Sequence, residues 1–237
     1  SMNLLLAELR TIEPASGIEA LSSDGRSFTV RAPYAFGLIC RADAGSAVLS
    51  LLPVDADQFA EPGFSGFAWK TSASAPFRFA DRSAGARLTD PGPTSACQTP
   101  SDPVTTLPGG RIVTVTGPIA PVPPIGMVAM LYRRVRYELK ASAAFPGRIG
   151  LWRTPLDADT PLARGEELAA PFDTTARVRY FVLADSTAHD APPAALGDLR
   201  GLQITLDAQS AHASQLGSHD LKHTSASMAV MFTNRPD

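Results

Sequence analysis

The chain has 237 residues, 44% of them hydrophobic, with a net charge of −2 and a pI near 6.1. That apolar content supports a packed core rather than a disordered chain, and the near-neutral balance gives no electrostatic basis for binding nucleic acid. No apolar run reaches the ~18 residues of a membrane-spanning helix.

Ser1-Met2 reads as a cloning scar, and residues 3–13 read as the end of a truncated N-terminal helix. Leu5, Leu9 and Ile12 recur at helical spacing, and Pro14 with Gly17 ends the run. The run from Asn3 starts without an N-cap pattern, as expected of a helix cut from a membrane anchor. Residues 14–237 are expected to form a single globular β-rich head. Strand signals come about ten residues apart: Arg26–Arg31 with Phe28 and Val30 on one face, then Ala35–Cys40, then Ala47–Leu52.

From 53 to 106 the composition shifts to Pro, Gly, Ser and Ala, with Phe59, Phe64, Phe67, Trp69, Phe77 and Phe79 inserted. The segment reads as a long loop excursion carrying short strands or one-turn helices, its aromatics supplying apolar area to anchor it. Cys97 lies in a loop-like stretch and Cys40 at a strand end. Two cysteines are compatible with buried thiols in a cytosolic protein, but a loop thiol in an oxidising compartment favours a Cys40–Cys97 disulfide that tethers the excursion.

The second half alternates most clearly. In Val128–Lys140, Val135, Tyr137 and Leu139 interleave with Arg134, Arg136 and Glu138. Arg148–Arg153 is the expected hairpin partner across Phe145-Pro146-Gly147, and further strands are expected at Arg177–Leu183, Leu202–Asp207 and Met228–Phe232. The expected fold class is α+β and mostly β: one short N-terminal helix, a remnant of a longer one, packed on antiparallel sheets.

Motifs of catalysis are thin. Gly63-Phe64-Ser65-Gly66-Phe67 departs from the nucleophile elbow at its last position, and Gly109-Gly110 lacks the spacing and lysine of a phosphate loop. His219 and His223 stand at i, i+4 spacing, but Gly217-Ser218 and Thr224-Ser225 around them favour a polar loop over a zinc site, and His189 and His212 stand alone. Asp55-Ala56-Asp57 and Asp157-Ala158-Asp159 offer oxygens to calcium without the rest of an EF-hand loop, and as turn residues they need no ion. Glu166 and Glu167 are chain neighbours on opposite sides of a strand, which suits an exposed pair rather than an acid/base site. No cofactor, metal site or catalytic residue is expected.

The segment Ile18–Arg31, the strand Leu131–Leu139, the tetrapeptide Gly150-Leu151-Trp152-Arg153, and Leu199–Ile204 before a final Phe232-Thr233-Asn234-Arg235 together resemble the heads of prepilin-type proteins. The likeness is to J-type minor pseudopilins of type II secretion and W-type minor pilins of type IV pili. It implies a non-enzymatic bacterial minor subunit whose N-terminus is trimmed and methylated. The apolar helix before Asn3 would anchor it in the inner membrane, with the head in the periplasm or outside the cell. It implies partners among other minor and major pilin or pseudopilin subunits, and a head acting in filament assembly or tip recognition. The alternatives are a secreted β-rich binding module, an adhesin or carbohydrate-binding domain using Trp69 and nearby phenylalanines, and an unrecognised extracellular hydrolase.

Overall fold

The computed structural model describes residues 2–12, 17–56, 63–89, 97–98, 101–157, 160–161, 164–183, 185–209 and 223–232. Among them one ten-residue helix, α1 (Met2–Thr11), precedes fifteen strands, and every pairing with a described register is antiparallel. The protein is therefore mostly β, with one short N-terminal helix and antiparallel sheets.

The chain divides into two compact units. The first comprises Ser1–Val30, Val135–Pro155 and Ala163–Asp237. Its four-stranded sheet runs β13 (Ala188–His189), β12 (Arg177–Val182), β14 (Leu199–Gln209), β15 (His223–Met231). It also holds β1 (Ile18–Leu21), which pairs with the start of β2 (Ser27–Ala42), and β11 (Glu166–Phe172), which pairs with β9 (Ile149–Asp157). Alternation decides which side chains go inward: Val135, Tyr137 and Leu139 of β8 (Val128–Ala141) are buried while Arg134, Arg136 and Glu138 keep partial exposure. Tyr137 stacks on Phe28 with ring centroids 5.2 Å apart. Gly25 has φ +66°, and its carbonyl accepts the Val178 N–H at 2.8 Å. A Cβ there would lie 2.7 Å from the Val178 oxygen, so the turn admits only glycine without movement.

The second unit comprises Arg31–Arg134 and Leu156–Leu162. Its strands run β8, β2, β3 (Ser46–Leu51), β7 (Arg111–Thr116), β6 (Arg87–Thr89), and β4 (Gly66–Trp69) joins β8 to β5 (Arg78–Asp81). Asp43 sets the turn between β2 and β3: its carboxylate accepts the N–H groups of Gly45 and Ser46, each at 2.7 Å. The core gathers Ile39, Leu49, Phe67, Trp69, Val113 and Leu131. In its first half β8 is buried from Ala129 to Tyr132, so the alternation of its second half gives way to an apolar run.

Among its described residues the 53–106 segment contributes three strands and one-turn helices at Pro53–Asp55 and Arg82–Ala84. β4, buried at all four residues, is the strand that turns its aromatics into core.

The resemblance to prepilin-type heads is corrected by this architecture. Such heads give helix a dominant place beside the sheet, whereas here a single short helix accompanies fifteen strands among the described residues. The short motifs that carried the likeness are generic antiparallel strands: Leu131–Leu139 lies within β8, and Gly150–Arg153 within its neighbour β9. Thr233-Asn234-Arg235 lies outside the described residues.

Candidate recognition surface

Cys40 near the end of β2 is joined to Cys97, with Cα atoms 5.6 Å apart, closing 57 residues of sequence separation. Both cysteines are buried with Val48 and Val104, and Ile112 packs against the group. Cys97 has φ +62°, unusual for a residue with a side chain, so the tether holds the backbone where a free loop would rarely go. Its carbonyl accepts the N–H of Thr106 at 2.9 Å. The Thr106 hydroxyl accepts a hydrogen bond from Ser50 Oγ of β3 at 3.2 Å.

The fixed Thr106 leads directly into a turn closed by the Gly110 N–H on the Leu107 carbonyl at 2.8 Å. That turn presents Leu107, which is 55% exposed. Beside it, the one-turn helix at Pro53 carries Val54, 75% exposed, and follows Leu52, 38% exposed. The two turns are neighbours, since a Cβ on Gly109 would sit 3.6 Å from Pro53 Cβ. Asp55 is turned inward, its carboxylate accepting the Phe36 N–H at 2.9 Å. The result is an exposed apolar rim of Leu52, Val54 and Leu107 on two neighbouring turns, with the Asp55 carboxylate hydrogen-bonded to Phe36.

Asp55 thus serves the Phe36 backbone; Asp57 and Asp159 lie outside the described residues, as does the Asp157 side chain. His212 and His219, with the His223 side chain, also lie outside them. His189 Nε2 is 2.8 Å from Asp185 Oδ2, an exposed pair. Thr187, then His189, hold the Asp185 carboxyl below the usual carboxylate range. Ser65 is buried and receives the Arg134 N–H at 2.9 Å while donating to the Leu156 carbonyl at 3.3 Å, so it is a structural hydroxyl. Glu166 is exposed, whereas Glu167 is partly buried and accepts the Ala143 N–H at 3.2 Å. Among the described residues no group of three His, Cys, Asp or Glu side chains is placed to hold a metal ion.

Trp69 is not a platform for a sugar. It is 1% exposed, stacks on Phe67 at 4.8 Å and donates its ring N–H to the Pro121 carbonyl at 3.1 Å. Phe77 and Phe79 are partly buried with cations over their rings, Lys70 at 5.1 Å and Arg31 at 4.7 Å. Phe59 lies outside the described residues.

Two polar knots brace the units internally. In the second unit Tyr132 donates to Asp81 at 2.5 Å, and Arg31 reaches the same carboxylate at 3.5 Å. In the first, Glu8 of α1 accepts from Tyr137, and Arg153 Nη2 meets its other oxygen at 2.6 Å. Burial first, then the adjacent carboxylate, raises the pKa of each tyrosine. Burial alone would lower that of Arg153; the hydrogen bond and charge of Glu8 outweigh it and raise it. Both tyrosines and Arg153 are thereby moved further from neutral pH, so their geometry suits bracing rather than proton transfer.

Compared with known proteins, the chain matches no family, no curated protein and no solved structure.

Proposed function

We propose that this chain is a non-enzymatic subunit of an assembly outside the cytosol, and that its Leu52–Val54–Leu107 rim is a contact for another protein. The observation that carries the reading is the path from disulfide to rim. Cys40–Cys97 fixes Thr106 through one backbone hydrogen bond, and the next residue is the exposed Leu107. A structural disulfide suits an oxidising compartment. Holding apolar side chains in place before contact reduces the ordering cost of binding.

In this reading the partner is a protein with an apolar surface, and the helix α1 lies against the sheet of its own unit as a fixed brace. Glu8 has its charge paired within the fold and leaves the binding to the rim. No described helix is long and apolar enough to cross a membrane.

The test is site-specific photo-crosslinking from position 54 in the native cell, with position 138 on β8 as the control. The reading expects an adduct with an extracytoplasmic protein from position 54 and none from 138. Absence of any adduct from 54, or adducts only with cytosolic proteins, rejects it.

A further inference from the structure

Strands with a single partner are exposed to pairing with other chains, and proteins ordinarily blunt them by shortness, charge, proline or bulges. Most of those described here follow that rule. β6 has three residues and includes Arg87, and β5 has four and includes Arg78 and Asp81. β13 and β10 (Thr160–Pro161) have two each. β1 carries Glu19 and a register shift; β11 carries Glu166, Glu167 and Pro171 and breaks register twice.

β15 departs from it on every count. It is nine residues long, His-Thr-Ser-Ala-Ser-Met-Ala-Val-Met, with no Lys, Arg, Asp, Glu or Pro. It pairs with β14 over nine consecutive residues without a bulge, and β14 is its only strand neighbour among the described residues.

The hydrogen-bond phase shows what the other side offers. Phe232 donates its N–H to the Arg200 carbonyl at 2.8 Å. In an antiparallel ladder bonding residues alternate, so Val230, Met228, Ala226 and Thr224 also face β14. Ser225, Ser227, Ala229 and Met231 therefore turn their N–H and C=O groups away from it. All four are exposed, Met231 at 50%.

We infer that this edge pairs with the same edge of a second copy, antiparallel about a two-fold axis. In the register that uses all four residues, Ser225 faces Met231 of the other copy and Ser227 faces Ala229, forming about eight backbone hydrogen bonds. The occupant follows from charge and symmetry. In a self-paired edge every opposed pair comes from this one strand, so a charged strand sets like charges close together, which is destabilising. β11 would bring its two glutamates into such a pairing, while the Ser225–Met231 edge brings only uncharged side chains. An isologous two-fold contact closes on itself and yields a dimer rather than a fibre. This dimer uses β15 in the first unit and does not rest on the rim contact.

Sedimentation equilibrium of the purified chain up to millimolar concentration tests it. The expected result is a concentration-dependent dimer whose dissociation constant rises at least about tenfold in Ser227→Lys. Ala229→Pro, which removes an outward N–H without touching a bond to β14, should act likewise. Thermal melting close to the wild type shows that each variant remains folded; if Ala229→Pro does not fold, Ser227→Lys alone decides. A wild type that stays monomeric throughout, or a dimer that survives in folded Ser227→Lys, overturns the inference.

Discussion

Thr106 donates its backbone N–H to the Cys97 carbonyl at 2.9 Å, and this bond converts a disulfide into a positioned surface. Cys97 is held to β2 by Cys40, and Thr106 is held to β3 by Ser50. The Leu107 turn therefore starts from two fixed points instead of swinging at the end of a loop.

Opening that tether costs stability. In the chain-entropy account a closed loop of this length contributes up to about 4 kcal/mol, so Cys40→Ser is expected to lose roughly 2–4 kcal/mol. For a chain of this size that lowers Tm by about 4–16 °C. Thermal melts with and without reductant check this: the wild type should fall on reduction, and Cys40→Ser should not respond.

Replacing Glu8 removes one member of a pair whose side chains are 15% and 14% exposed and leaves the Arg153 guanidinium without its partner. Glu8→Gln is expected to cost about 2–4 kcal/mol. Glu8→Gln combined with Arg153→Met should cost less than the sum of the singles, because the stranded charge is gone. A chemical-denaturation cycle over the four proteins reads the coupling directly.

Alkaline pH should unfold the protein through its tyrosines. Tyr132, Tyr137 and Tyr180 all have raised pKa values, burial being the first cause in each. A group whose folded pKa lies above its unfolded value contributes stability fully present below the unfolded pKa and lost as pH rises toward the folded one. The window therefore opens near the ordinary tyrosine value of about 10 and extends upward. Absorbance titration should show these phenols ionising together with loss of far-ultraviolet structure. A Tyr132→Phe, Tyr137→Phe protein should lose stability less steeply above that point.

Gly25→Ala should destabilise by more than about 1 kcal/mol, since it combines a positive φ with a Cβ 2.7 Å from the Val178 oxygen. Gly147→Ala has the positive φ but open space around it, and should cost less. Comparing the two by denaturation separates backbone strain from crowding.

The strands of the second half were legible because Val135, Tyr137 and Leu139 alternate with charged residues. The disulfide was legible from the loop composition around Cys97. β4 was not: Gly66–Trp69 is buried at every residue, so no period-two signal marks it. The aromatics of the 53–106 segment announced apolar burial without saying which would face inward, and Trp69, a candidate platform by composition, sits in the core. The Arg31–Asp81 and Glu8–Arg153 pairs join residues 50 and 145 positions apart, a distance at which no local pattern acts. The rim was equally silent, because Val54 and Leu107 become neighbours only when the Pro53 and Gly109 turns meet. Short strand motifs produced a family likeness because alternating apolar and arginine residues recur in any half-buried strand.

The most direct measurement is photo-crosslinking from position 107 in the native cell, in the wild type and in Cys40→Ser at matched protein levels. If the disulfide positions a recognition rim, position 107 forms an adduct with an extracytoplasmic protein, and the adduct is strongly reduced in Cys40→Ser. An adduct of equal yield in both proteins, or none in either, contradicts the account.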